Sequence, residues 1–191
     1  MKLQSPNSHL LLLGERKSEL GGCAYYQILE ECTKAPWNSL LGANVPRPDY
    51  KELSAQVHFL SSSIADGLIL SAHDISEGGL LLAAFEMTNG QRGRTGNIGI
   101  DIDILSLGNA LRIDEILFSE TGGFLLEVAD ASYENLQKIA KKFDCTLQKI
   151  GTTMHRPEFI VRQGATQILQ HNLPSLHHLW KTGLETRITQ Q

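Results

Sequence analysis

The first apolar run, His9 to Leu13, shows no alternation and stops at Gly14, which is the pattern of a strand covered on both faces. The spacing then predicts a helix opened by Gly21-Gly22 and carried by Tyr25, Tyr26, Ile28, Leu29 and Cys32. From Lys34 to Pro48 the chain holds Pro36, Gly42, Pro46 and Pro48 and loses all period, which marks a boundary. Asp49 and Glu52 form a D-x-x-E capping box, and Leu53, Val57, Leu60 and Ile64 follow at steps of four, three and four, so an amphipathic helix is predicted up to Asp66-Gly67.

Beyond that helix, Leu68 to Ala72 reads as a strand and Leu80 to Met87, apolar almost all round, as a central helix. Glycines at 90, 93, 96 and 99 predict a flexible loop carrying Arg92 and Arg94. Ile100, Ile102 and Ile104 alternate with Asp101 and Asp103 as a half-buried strand does. A short link containing Ile116-Leu117-Phe118 leads to a strand over Phe124 to Val128 and an amphipathic helix over Tyr133 to Phe143. Strands at Thr146 to Ile150 and Phe159 to Val161 and a helix from Leu173 to Ile188 complete the chain. Strands that follow one another without intervening helices predict an α+β fold: a mixed, largely antiparallel sheet with helices packed against it.

Composition narrows the function classes. Of 191 residues, 41% are hydrophobic and 20% charged, as in an ordinary soluble domain, and the net charge of −4 with scattered Lys and Arg leaves no footprint for nucleic acid. No apolar run approaches the roughly 20 residues that cross a bilayer, and the first residues lack a signal-peptide pattern, so the expectation is a cytoplasmic protein with no membrane partner. Cys23, Cys32 and Cys145 show no disulfide or zinc spacing and read as buried free thiols. His171, His177 and His178 read as surface residues, and Leu176, Leu179 and Trp180 as the apolar face of the last helix.

Three polar turns are the candidates for chemistry. His73-Asp74-x-Ser76-x-Gly78-Gly79 stands where a strand meets a helix, and paired glycines let backbone N–H groups approach an anion; the alternative is that Asp74 and Ser76 cap the helix while Gly78 and Gly79 permit close packing. Gly21 and Gly22 open the first helix in the same way. Ser119-Glu120 precedes the Phe124 strand, where a carboxylate either reaches a ligand or stays solvated in a turn. Neither a G-x-S-x-G nor a P-loop string occurs.

The strings themselves carry a resemblance. LLLLGERKSELGG at 10–22, SAHDISEGGL at 71–80 followed by AAFEM at 83–87, LFSETGGFLLEV at 117–128 and Ile150-Gly151-Thr152 are similar, in this order, to motifs of phosphoribosylformylglycinamidine synthase subunit II. The fold this implies is that of the C-terminal domain of the aminoimidazole ribonucleotide synthetase superfamily. Residues 1–47 would be the end of a preceding N-terminal-type domain plus a linker, and residues 48–191 the C-terminal α/β domain.

The resemblance also implies a reaction: ATP-dependent, magnesium-assisted conversion of formylglycinamide ribonucleotide to its amidine, with ammonia supplied from glutamine by a separate glutaminase subunit and with a small accessory subunit. On this basis His73, Asp74, Ser76, Gly78, Gly79, Gly21 and Gly22 are candidates for nucleotide or phosphate binding, and Ser119 and Glu120 for a substrate-binding turn. No residue here is assigned a catalytic role, because the family's catalytic histidines and GN-x-S motif have no counterpart in this sequence. Thr121, Gly122 and Gly123 also stand where Ser, Gln and Arg are common. The chain is therefore expected to work only with the remaining, N-terminal portion of such a synthetase. A different class, a noncatalytic scaffold or interaction module of the same fold, is the alternative.

Overall fold

A computed structural model describes residues 1–33, 42, 44–89, 98–108 and 110–189. Residues 90–97 of the predicted Gly90–Gly99 loop, with Arg92 and Arg94, and most of the Lys34–Pro48 boundary lie outside the described residues, while Gly99 already opens a strand. Among the described residues seven strands form one sheet: β1 (His9–Leu13), β2 (Ser71–Asp74), β3 (Gly99–Asp103), β4 (Phe124–Val128), β5 (Leu147–Met154), β6 (Glu158–Gln163) and β7 (Thr166–Asn172). Their order is β2-β4-β1-β5-β3-β6-β7, and every pairing is antiparallel except the parallel β3–β6 pair. Among the described residues the α-helices are α1 (Ala24–Thr33), α2 (Tyr50–Ala65), α3 (Gly79–Thr88), α4 (Ile113–Phe118), α5 (Asp130–Lys142) and α6 (Leu173–Thr189). The α+β class, the largely antiparallel sheet and the packed helices agree with the sequence reading.

Helices cover both faces of the sheet, which explains the unbroken leucines of β1. Leu10 and Leu12 enter a core with α3 and α6, whereas Leu11 and Leu13 enter a second core with Phe59 of α2 and Leu136 and Ala140 of α5. All four leucines are fully buried. This placement corrects the proposed division of the chain. Residues 1–47 were expected to end a separate domain, yet β1 is hydrogen-bonded between β4 and β5 in the middle of the sheet.

The segment before β1 is held by a carboxylate. Glu127 of β4, fully buried, accepts hydrogen bonds from the backbone N–H of Gln4 (2.8 Å) and Ser5 (2.9 Å) and from the hydroxyls of Ser8 (2.8 Å) and Ser71 (3.1 Å). Four donors compensate the removal of this charge from water.

Other differences from the sequence reading have local causes. The second strand lies at 71–74, not 68–72, because Leu68 is still bonded back to Ser63 of α2 and the first bond to β4 is made by the Leu70 N–H, to the Glu127 carbonyl. The 116–118 link is the end of α4, whose Glu115 carboxylate accepts from the Arg112 N–H at the helix start (2.8 Å). β7, with the polar sequence TQILQHN, is a solvent-exposed edge strand and so carries no apolar alternation. His177 is buried, not on the surface: its Nε2 lies 3.1 Å from the Thr88 hydroxyl and its ring against Phe85. Leu179 and Trp180 are instead more than half exposed, and Cys32 is exposed where a buried thiol was expected. No helix among the described residues is long and apolar enough to cross a membrane.

Candidate functional site

Sheet order brings the three polar turns together. β4 lies between β1 and β2 and runs antiparallel to both, so Leu13 and Asp74, the last residues of β1 and β2, both stand opposite Phe124. The turn before Phe124, Ser119 to Gly123, is therefore flanked by the loop leaving β1 and the loop leaving β2. Those loops lead to the N-termini of α1 and α3.

Glu120 joins the two helices. Its Oε1 accepts from the backbone N–H of Ala24 at the start of α1 (2.9 Å) and from that of Gly78 at the start of α3 (3.0 Å). Gly78 caps α3 in the left-handed conformation and brings no side-chain oxygen of its own. One carboxylate thus replaces the missing cap of α3, serves α1 as well, and sits where two helix dipoles are positive. Gly79 is required for the approach: a Cβ there would lie 2.7 Å from the Leu117 carbonyl oxygen, and its φ of +68° is left-handed.

The turn that presents Glu120 is itself pinned by Arg16. This buried guanidinium donates from Nε to the Ile116 carbonyl (3.3 Å), from one terminal nitrogen to the Thr121 carbonyl (2.8 Å) and from the other to the Ser119 carbonyl. Burial lowers its pKa to about 10, against the opposing pull of Glu19, so it stays cationic at neutral pH. Glu19 accepts from Thr121 through its carboxylate (2.8 Å) and from Ser119 through its backbone carbonyl (3.1 Å). Nearby, Ser18 donates to Glu115 (2.6 Å); chiefly through this bond, and against the effect of partial burial, the Glu115 carboxyl is held below its usual range.

The other candidates fall apart from this centre or have partners within the chain. The N–H groups of Gly21 and Gly79 bond to the carbonyls of Asn44 (2.9 Å) and Ser76 (3.1 Å). His73 lies between its neighbour and α3, with Nδ1 2.7 Å from the Asp74 carbonyl and Nε2 3.3 Å from a Glu86 carboxylate oxygen. Asp74, Ser76 and Gly22 are exposed. Among the described residues no three His, Cys, Asp or Glu side chains come together as a metal cage.

Beside Glu120 opens a cleft of about 180 Å³ where Lys17 and Arg47 stand among the carboxylates of Glu19, Asp49, Glu52 and Glu120, with Leu53, Gln56 and Thr121 to Gly123 completing the wall. Its cations are Lys17, 3.6 Å from Glu52, and the exposed Arg47. Sequence reasoning missed Arg16, Lys17 and Arg47 here. Arg16 and Lys17 lie inside the LLLLGERKSELGG string, of which only Gly21 and Gly22 stand out by spacing, and Arg47 lies inside an aperiodic stretch.

Residues 5–163 match the family described as AIR synthase related protein, C-terminal domain. The chain belongs to this family. It is 31% identical over 184 residues, 96% of its length, to the phosphoribosylformylglycinamidine synthase subunit PurL of Methanothrix thermoacetophila, of which it spans 22%. With the same subunit of Thermoplasma acidophilum the identity is 34% over 174 residues, 87% of this chain and 22% of that one. Among solved structures, Thermotoga maritima PurL complexed with FGAR superposes with a TM-score of 0.75 at 16% identity, covering 92% of this chain and 28% of that chain; at that identity the likeness is one of fold. The chain thus spans about a fifth of the length of the curated relatives it matches.

Proposed function

We propose that the chain is the C-terminal segment of an ATP-dependent carbon–nitrogen ligase that converts formylglycinamide ribonucleotide to formylglycinamidine ribonucleotide in purine biosynthesis, in the cytoplasm. It acts only together with the remaining portion of the synthase. Ammonia comes from a glutaminase subunit, and a small accessory subunit completes the assembly. The observation that carries this reading is the similarity over nearly the whole chain to synthases of that name, joined to the way Glu120 of the SETGG string ties the helix start just after ELGG to the SEGG string. The Thermotoga maritima protein has been solved with ATP and in an assembly named PurLQS, which supports a nucleotide and partner subunits for the complete enzyme.

The residues of this segment suit a supporting part in that chemistry. Of the glycine-led amides that spacing offered to a phosphate, those of Gly21, Gly78 and Gly79 are bonded within the chain, and Glu120 holds the anionic position between the helices. No three-residue cage for magnesium forms among the described residues. No step through ATP or magnesium is therefore assigned to this segment. It supplies a fixed wall: Arg16 and Glu19 hold the turn, Glu120 ties two helices to it, and Lys17 and Arg47 line the adjoining cleft beside four carboxylates.

The test is a chimera in which this chain replaces the matching segment of the Methanothrix thermoacetophila synthase. Ammonia-dependent ATP hydrolysis that requires formylglycinamide ribonucleotide is expected from the chimera and not from this chain alone. A folded, ATP-binding chimera without turnover would reduce the relationship to fold and ancestry.

A further inference from the structure

α2 wears its apolar side outward. The side buried against the sheet consists of Gln56, Phe59 and Ser63, two of them polar, and the Ser63 hydroxyl has no hydrogen-bond partner. The stripe that defines the helix period lies instead along one flank: Tyr50 is 79% exposed, Leu53 39%, Val57 48% and Ile64 51%, with Leu60 half-buried between them. From Leu53 to Ala65 the helix has no Asp, Glu, Lys or Arg. A solvated helix face carries charge; this one has the composition of a face packed against protein.

The position of the stripe limits what can cover it. On one flank of α2, Lys51 and Ala55 face Phe143 and Asp144 at the end of α5. On the other flank Leu53 lines the cleft that holds Glu120, Lys17 and Arg47. Ala72 and Phe124, half-buried on the same face of the sheet, continue the apolar ground toward β2, the edge strand. Helix flank and sheet face form an apolar corner that runs on, through Leu53, into the cleft.

We propose that this corner is the docking surface for the remaining portion of the synthase polypeptide, which meets it with an uncharged apolar helix or strand and in doing so closes the cleft beside Glu120. The inference rests on the functional reading above. It is favoured by length: in the relatives the matching segment is 22% of a longer chain, and in the solved relative 28%, so most of the polypeptide that has to pack against this fold lies outside it. The stripe also runs on into the candidate site, so the body that covers it reaches that site.

Cysteine accessibility in the chimera tests this. With Cys32→Ser as background, Val57→Cys and Ile64→Cys are labelled with a bulky maleimide in the free chain and in the chimera, each peptide being followed by mass spectrometry. Glu134→Cys, on the exposed side of α5, is the reference. Labelling at 57 and 64 is expected to slow by about tenfold or more in the chimera, as for a site reached only through local opening, with the reference unchanged.

Unchanged rates in a chimera that turns over would overturn the docking surface and leave the function standing. Protection in a chimera without turnover would uphold the surface and remove the reaction. Slow labelling in the free chain that quickens on dilution would assign the stripe to a second copy and overturn the proposal. As an independent check, Val57→Lys/Ile64→Lys in the free chain is expected to shift Tm by no more than about 2 °C, because the stripe has no partner there; a loss well beyond that would place it in the chain's own core and overturn the proposal.

Discussion

Removing the Glu120 carboxylate tests the site at its centre. Glu120→Ala leaves the Ala24 and Gly78 N–H groups without their acceptor at two helix starts. Loss of a side-chain cap costs about 0.5–2 kcal/mol, and a charge at a helix dipole contributes about 0.3–1 kcal/mol. Two helices share one oxygen, and the residue is half-buried, so water regains part of each amide. The sum is about 2 kcal/mol for alanine. Glu120→Gln keeps an acceptor oxygen and loses only the charge, about 1 kcal/mol. Glu120→Asp, one methylene shorter, cannot span both amides and is expected to behave more like alanine than like glutamine. For a chain of this size about 1 kcal/mol corresponds to about 2–4 °C in Tm, so alanine is expected about 4–8 °C below the parent and glutamine about 2–4 °C below. Urea unfolding followed by circular dichroism gives the same ranking through the midpoint at unchanged slope. Added salt is expected to narrow the gap between parent and Gln, because only the charge–dipole part is screened. An alanine variant within about 0.5 kcal/mol of the parent, or a glutamine variant as unstable as alanine, would refute the bridging role.

Three further outcomes are expected. Arg16→Met strips three carbonyls of their donor and is expected to destabilise by about 3–5 kcal/mol, with Arg16→Lys recovering only a minor part because one ammonium cannot reproduce the fork; urea midpoints check both. Glu127→Ala is expected to free the segment before β1, so that limited proteolysis cuts within residues 1–8 at protease levels that spare the parent; equal resistance would show that the four hydrogen bonds do not hold it. Burial, with help from Lys181, lowers the His177 pKa below 6.5, so the folded state takes up its proton later than the unfolded one. Its contribution is intact above about pH 6.5 and is lost as pH falls, at up to about 1.4 kcal/mol per pH unit until the folded pKa is reached. His177→Gln is expected to flatten the fall in Tm between pH 6.5 and 5, and an identical profile would count against a buried neutral His177.

How far the sequence could be read depended on whether each pattern had a local cause. β1, α3 and β3 were legible because leucine runs, all-round apolarity and Ile–Asp alternation are each imposed by the faces those elements bury. β7 was not, since an edge strand meets water and needs no alternation. α2 was placed within a residue, but its period could not say which side faces its own core. The glycine pairs and Ser119-Glu120 were picked out as separate turns. Nothing in the spacing said that Glu120 would serve as acceptor for both of the others, or that Arg16, about a hundred residues away, would hold its turn, because both facts depend on strand order.

That dependence also says where a ligand belongs. β4 runs antiparallel between β1 and β2, so whatever residue precedes Phe124 lies between two loops that lead into helix N-termini. A cation there would face two positive dipole ends, and an apolar residue would leave buried amides unpaired; an acid satisfies both conditions. The glycines follow from the need for α3 to come within contact distance of the end of α4, and the acid from the dipoles, so the fold accounts for these strings without a ligand. A phosphate aimed at the same amides would have to displace Glu120 and approach Glu19 as well. One step away, Lys17, Arg47 and the open backbone of Gly122 face the cleft together with the carboxylates of Glu19, Asp49 and Glu52, and the two cations there are not buried in the turn's own hydrogen bonding. On the proposed function, an anionic group that enters this cleft meets Lys17 and Arg47, so Lys17→Ala and Arg47→Ala in the chimera are expected to raise KM for it while leaving the Glu120 bridge and the Tm intact, and an unchanged KM in both would place the anion away from this cleft.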